Sequence, residues 1–468
     1  MSEKTTNVTV AHQFFQDPRI EQAKKLIRET ILDHQKKITG LKNATEVNAK
    51  DGYDLLVKEL SQNRGGNLFY RYIGSGFGKG ALVELCDGSV KYDFITGIGV
   101  HYFGHAHPDI ILASIDGALE NTPMQGHLQQ NFSSHRLIKF LVAQANKYKP
   151  GLLPHVFLTS SGAMANENAL KIAFHKRAPA NRMIAFEKCF SGRTLALSAV
   201  TDKAQYRTGL PKTIDVDYLP FFDEMNPEAS TKKAVEALKK LIKRYPKQHA
   251  CLLFEPIQGE AGSWVGSTEF FKAVLGIAKA ENISIISDEV QTFGRTEELF
   301  AFQFYKLEEF VDIVTIGKMS QVCATFFKED HKPAAGIISQ TFTSSSSAIH
   351  AGYSVLTKLV NEGYLGKSGK IDQLGTSFRK KLINLAEKYP KKIGGPYGVG
   401  AMVAVTVYEG DAKKSQDFAY KLFDNGVLSF TAGGDPMRVR FLMPIGSVEE
   451  NDIKVVCEII EKTLGEID

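Results

Sequence analysis

DIVTIGK, residues 312–318, runs apolar from Ile313 to Ile316, breaks at Gly317 and ends on a lysine. Four other stretches share the scheme of a short apolar run: HVFLT (155–159), RMIAF (182–186), HACLLFEP (249–256) and ISIISDE (283–289). Between them lies helix-like sequence such as EFFKAVLGIAKAEN (269–282). Strand–helix alternation at this spacing predicts an α/β domain with a mostly parallel sheet flanked by helices. In such sheets ligands bind beyond the C-terminal ends of the strands. Ser161-Gly162, Glu255, Asp288 and Lys318 all fall at those ends.

The bulk numbers exclude several classes. A chain of 468 residues exceeds one simple domain and suits two or three parts around a large core. A net charge of +5 with no long basic block gives no nucleic-acid or membrane footprint. No apolar run approaches the ~20 residues of a spanning helix, and the start, MSEKTTNVTVAHQFF, lacks the layout of a secretion signal. Five scattered cysteines with no CxxC pair point to reduced thiols and a cytoplasmic setting. Asn43-Ala44-Thr45 fits a glycosylation triplet that nothing else supports.

Residues 17–39 read as an amphipathic helix with Ile20, Leu26, Ile27 and Ile31 on one side. Residues 81–98 read as two short strands turned at Asp87-Gly88. After about 365 the pattern changes to the helical KIDQLGTSFRKKLINLAEKY, the Gly-rich then strand-like GGPYGVGAMVAVTVYE (394–409), the strand-like MRVRFLMPI (437–445) and a last helix. The expected organisation is an N-terminal helical segment (1–75), a large α/β domain (76–360) and a small C-terminal α+β domain (361–468) that packs with the N-terminal segment.

Three strand ends suggest one chemistry. SSGAM opens a helix, and a helix N-terminus offers free N–H groups and a positive dipole end to an anion. Asp288 ends one strand, and Lys318 ends another thirty residues later, one strand–helix–strand step away. An anion site, a carboxylate and an amine together suit pyridoxal 5′-phosphate. The phosphate takes the helix end, the amine forms a Schiff base with the aldehyde, and the carboxylate keeps the ring nitrogen protonated. Singly, each element has a plain structural reading: a surface lysine, a helix cap, an N-cap aspartate.

In order, the segments YDFITGIGVHYFGHAHP (92–108), SSGAMANENALKIA (160–173), FSGRT (190–194), EPIQGEAG (255–262), DEVQTFGRT (288–296), GK (317–318), TF (341–342) and VRF (439–441) resemble the class III pyridoxal-phosphate-dependent aminotransferases. The resemblance implies fold type I with a seven-stranded-type sheet, transamination of ω-amino acids, a homodimer with shared active sites, and no metal. Lys318 is then the Schiff-base lysine and proton carrier, and Asp288 the partner of the pyridine nitrogen. Gln291 reaches the phenolic oxygen, while Val290 and Phe190 sandwich the ring. Ser161, Gly162 and Ala163 hold the phosphate, and Thr341 reaches the neighbouring subunit's phosphate. Arg193 corresponds to the arginine for the distal carboxylate, and Arg440 to the one for the α-carboxylate of a 2-oxo acid. Glu260 neutralises Arg440 when no α-carboxylate belongs there. GKMSQVC (317–323) and TAGGDPMRVRF (431–441) look closest to lysine 6-aminotransferases, with 4-aminobutyrate, ornithine and acetylornithine enzymes sharing the same core.

The chain departs from the family pattern at Met164, where Glu is usual, and at Ser191, where His or another aromatic is frequent. QTFGRT is one residue short, and TFTSSSS replaces TFGGNP. Core roles for Val290 and Phe190, a loop hydroxyl at Thr341 and a structural Glu260–Arg440 ion pair stay open from sequence. So do a racemase, aminomutase or amine transaminase on the same scaffold, and a non-catalytic cofactor-binding relative. The predicted partners are a small-molecule amino donor and a 2-oxo acid, with 2-oxoglutarate collecting the amine.

Overall fold

The computed structural model describes residues 9–44, 47–121, 124–126 and 128–467. The first eight residues of the chain start, and Thr45 of the Asn43 triplet, lie outside them.

The five predicted runs all become strands of one seven-stranded sheet: His155–Thr159, Arg182–Phe186, His249–Phe254, Ser284–Glu289 and Ile313–Ile316. Two further strands complete it, Asp215–Leu219 at one edge and Cys323–Phe327 near the other. The neighbours Asp215–Leu219, Arg182–Phe186, His249–Phe254, Ser284–Glu289 and Ile313–Ile316 pair in parallel. Cys323–Phe327 runs antiparallel between Ile313–Ile316 and His155–Thr159. Only six residues, 317–322, which include the 3-10 turn Lys318–Ser320, separate it from the preceding strand, so the chain doubles back without the crossover a parallel pairing needs. Helices Gly162–Arg177, Pro227–Arg244 and Thr268–Ala280 connect the strands. The central strands are buried throughout, as continuous apolar runs in a covered parallel sheet should be.

A four-stranded antiparallel sheet of Ile393–Tyr397, Met402–Val407, Met437–Leu442 and Phe430–Gly433 forms in the C-terminal region. The predicted hairpin appears as Leu82–Leu85 and Val90–Asp93, following Gly74–Lys79. Val427–Leu428 joins it in parallel along Val90–Asp93. We propose that this sheet, which crosses the expected 75/76 boundary, belongs with the small domain.

The first amphipathic helix spans Pro18–Gln35, capped by Asp17. It lies beside the helix Pro108–Ala118 through Lys24–Asp116 (3.0 Å) and Arg28–Asp109 (2.6 Å). Ile31 is buried there, but Leu26 points outward at 65% exposure, a correction to the expected apolar face. The neighbouring positions Lys24 and Arg28 hold the ion pairs, so the contact centres on their stripe.

Candidate active site

Lys318 follows the strand Ile313–Ile316 at φ 56°, a left-handed conformation uncommon for a residue with a side chain. The residue before it admits no side chain. A Cβ on Gly317 would lie 2.9 Å from Cys323 Sγ and 3.2 Å from Val290 Cγ1. Among the described residues no hydrogen bond or ion pair engages the Lys318 amine. Burial pushes its pKa below the usual lysine range, and the Arg440 guanidinium adds to the shift. A neutral amine is the form that attacks a carbonyl carbon.

Asp288 is buried one strand over, its Cα paired with that of Thr315. Its carboxylate accepts from Asn166 Nδ2 (2.6 Å) and from the Val290 N–H (3.1 Å). Asn166 also donates to the Ser191 carbonyl (2.8 Å) and accepts from Thr315 Oγ1 (2.7 Å). These bonds fix which way the Asn166 amide faces, so both of its nitrogen protons are used. Burial pushes the Asp288 carboxyl up to about 6, against the opposing pull of these donors. A cation held against Asp288 would offset that burial and keep it ionised.

Ser161 caps the helix Gly162–Arg177, its hydroxyl accepting from Met164 N (3.2 Å). Gly162 and Ala163 open the helix, where N–H groups have no acceptor within the helix. The first turn carries no acid, so nothing opposes its dipole. Val290 packs against this turn, and a Cβ on Gly162 would come within 2.6 Å of Val290 Cγ1. Phe190 donates its N–H to Glu255 Oε1 (2.9 Å). Burial pushes the Glu255 carboxyl well above its usual range, and the charge of Asp288 adds to this.

The two arginines differ. Arg440 is fully buried, and Glu260 Oε2 lies 2.6 Å from its Nη2. Its Nη1 donates to the Gly259 carbonyl and to Gln291 Oε1, both at 3.1 Å. Gln291 is therefore tied to Arg440, and a Cβ on Gly259 would overlap its amide. Arg193 is exposed, its guanidinium 3.7 Å from the ring of Tyr206 and 6.0 Å from that of Phe190. Thr341 stands apart. It is exposed on a loop that packs against Gly126, while its neighbour Gln340 accepts from Thr159 Oγ1 (2.7 Å).

The family profile of the class III aminotransferases matches residues 71–464, most of the chain. The chain belongs to this family.

The aminotransferase is 31% identical to an acetylornithine aminotransferase of Methanocaldococcus jannaschii, over 83% of this chain and 93% of that protein. It is 28% identical to a 4-aminobutyrate aminotransferase of Escherichia coli, over 81% and 90% respectively. Among solved structures, a lysine aminotransferase from M. tuberculosis superposes with a TM-score of 0.77, at 22% identity over 88% of this chain and 100% of that one. An ornithine aminotransferase from Toxoplasma gondii gives a TM-score of 0.74, at 25% identity over 90% and 99%. The protein is thus a pyridoxal-phosphate-dependent transaminase acting on an amino donor and a 2-oxo acid.

The site residues of the aminotransferase fit that cofactor. Ser191 Oγ is buried with no hydrogen-bond partner among the described residues, which leaves a polar atom for a ligand. The free helix N–H groups, the Asp288 carboxylate and the unbonded Lys318 amine supply an anion site, a counter-charge and a nucleophile.

Sequence reasoning missed Asn166 and Thr315. Asn166 lies inside SSGAMANENALKIA (160–173), but only the strand register brings Thr315 to it. It also missed Tyr206, which a short 3-10 turn, Ala204–Tyr206, places under Arg193.

Proposed function

We propose that the enzyme moves the terminal amine of an ω-amino acid to 2-oxoglutarate in two half-reactions. The bound cofactor supplies an electron sink for the carbanion next to the reacting nitrogen. Lys318 holds the cofactor at rest and then carries the proton, its neutral amine favoured by burial and by Arg440. Asp288, oriented by Asn166, would hold the pyridine nitrogen protonated, and Phe190 and Val290 would enclose the ring. Ser161, Gly162 and Ala163 would take the phosphate, and Gln291, whose Oε1 accepts from Arg440, would lie toward the phenolic oxygen.

The observation that carries the donor class is the 2.6 Å pairing of buried Arg440 with Glu260. A neutralised Arg440 does not attract an α-carboxylate, so the donor enters by its terminal amine. Exposed Arg193, its guanidinium 3.7 Å from the Tyr206 ring, presents its donors to the donor's distant carboxylate. When 2-oxoglutarate arrives, its α-carboxylate replaces Glu260 on Arg440. Lysine, ornithine, acetylornithine and 4-aminobutyrate all have the required shape. Among them lysine is our choice on GKMSQVC and TAGGDPMRVRF. The test is a donor panel in single turnover with wild type and Glu260→Ala. Terminal amines should convert the wild-type cofactor fastest, and Glu260→Ala should gain on glutamate. Preference for α-amino donors in wild type would refute the assignment.

We also propose a homodimer with shared sites, in the cytoplasm. Thr341 packs against Gly126, beside the pairing of Met124–Gln125 with Ser344–Ser345, and Met124, Leu128, Phe132 and Phe342 in these two segments are exposed. Exposed apolar side chains of this kind suit burial against a second copy, with Thr341 reaching its phosphate. Light scattering on the eluting protein should give twice the chain mass, and a monomer would end this reading. All five cysteines are free, as reduced thiols of a cytoplasmic protein are.

A further inference from the structure

Glu260 lies at the tip of a hairpin formed by Ile257–Gln258 and Trp264–Val265. The tip is held at three successive residues. Gly433 N donates to the Glu260 carbonyl (2.8 Å). Trp264 Nε1 donates to the Ala261 carbonyl (3.1 Å). Arg438 Nη1 donates to the Gly262 carbonyl (2.7 Å). No slack remains there, since a Cβ on Gly262 would sit 2.8 Å from Arg438 Cδ.

Arg438 and Arg440 are two residues apart on the strand Met437–Leu442, and alternate residues share a face. That strand therefore presents two guanidiniums to one hairpin. Arg440 meets the Gly259 carbonyl and the Glu260 carboxylate, and Arg438 meets the Gly262 carbonyl. Arg438 is only 3% exposed, and among the described residues no carboxylate forms an ion pair with it. Its charge lies instead between two rings, 4.2 Å from that of Trp264 and 3.5 Å from that of Tyr397. Lys188 also contacts Trp264, with Nζ 4.9 Å from the ring, and donates to the Asp435 carbonyl (3.2 Å). The indole thus joins the hairpin to the strand that carries Arg440.

We propose that Arg438, acting with Trp264, is a positioning residue that fixes the Glu260 hairpin, so that Glu260 leaves Arg440 by rotating its side chain while the backbone stays still. Arg438 thereby helps determine the preference for ω- over α-amino donors. This rests on reading Glu260 as the group that neutralises Arg440. The physical reason is tolerance. A charged pair at 2.6 Å loses its hydrogen bond when the backbone drifts by an ångström or so. A mobile tip would leave Arg440 open to the α-carboxylate of any donor. A fixed tip with a rotatable carboxylate gives two defined states.

The experiment uses the holoenzyme and two donors, the preferred ω-amino acid and glutamate, whose amine neighbours an α-carboxylate. The ratio of their kcat/KM values is measured for wild type, Glu260→Ala, Arg438→Met and the double variant. Trp264 is the only tryptophan in the chain, so its emission reports the clamp separately from activity. Glu260→Ala should lower the ratio about tenfold or more, the scale of one charge-assisted pair. Arg438→Met should shift the Trp264 emission and lower the ratio about fivefold. Its effect should vanish in the Glu260→Ala background, because both changes act through one group. An unchanged ratio in Arg438→Met despite shifted emission overturns the proposal, and so does an effect that adds in full to Glu260→Ala. An unchanged ratio in Glu260→Ala itself instead overturns the switch reading beneath it. Should Arg438→Met not fold, Trp264→Phe keeps a ring but deletes the bond to Ala261, and it must lower the ratio with the same non-additivity. No change there overturns the proposal equally.

Discussion

Asp288 and Arg193 mark two ends of the site built on opposite plans. Asp288 is 4% exposed and already bonded to Asn166 and Val290, and Asn166 is locked by Thr315. Arg193 stands in solvent, its guanidinium nearest the ring of Tyr206 and further from that of Phe190. Between them, Arg440 is buried like Asp288 but held by a side chain, Glu260, that can leave. On the proposed reading, the ring end takes one permanent occupant and the carboxylate end takes two alternating ones. Preorganisation is therefore concentrated where charge is constant, and freedom is kept where the ligand changes.

Of the two ends compared, the ring end should show the larger effect. Asp288→Asn should lower turnover about a hundred- to a thousandfold, the scale of losing one preorganised electrostatic partner. It carries a second signature in the cofactor-free protein. Burial raises the Asp288 pKa to about 6, so folding favours its protonated form. That contribution is complete below the ordinary carboxyl pKa and is lost as pH rises through about 6. Relative to wild type, Asp288→Asn should therefore gain about 2 kcal/mol of stability between pH 4.5 and pH 8. Urea unfolding at the two pH values reads this difference, and a flat difference would show that Asp288 is ionised throughout.

Arg440→Met comes next. It removes the proposed anchor for the 2-oxo acid and leaves Glu260 without its partner. The acceptor half-reaction should slow about a hundredfold, within the cost of truncating one side of a buried charge pair. The donor half-reaction should change much less, and equal losses in both would erase the distinction between the arginines. Arg193→Ala should raise KM for the donor about tenfold, as expected for an exposed charge-assisted contact. If it cost as much as Asp288→Asn, the contrast of the two ends would fail. Smallest is Tyr206→Leu, which leaves Arg193 charged but unstacked and should raise donor KM about threefold, the scale of an exposed cation–π contact.

What could be read from sequence follows the same division. Lys318, Asp288 and Ser161 sit at ends of apolar runs, and local periodicity finds such ends. The Asn166–Thr315 link depends on strand register, in which Asp288 faces Thr315. The strand Cys323–Phe327 was hidden because CATFF follows Lys318 after a turn too short for a separate element. Leu26 kept the right period but not the right face, because ion pairs to Asp109 and Asp116 set the helix rotation. Tyr206 and Arg438 act through rings and carbonyls contributed by distant segments, which spacing alone does not reveal.

We propose that Lys318, freed of partners and made less basic by burial, carries the cofactor and the proton. The most direct measurement is the absorbance of purified Lys318→Ala with pyridoxal 5′-phosphate, before and after one equivalent of an ω-amino donor. Lys318→Ala should lose the protein-linked visible band, with a fall in turnover of about a thousandfold or more, as when a covalent catalyst is removed. A variant that keeps both the band and turnover would contradict it.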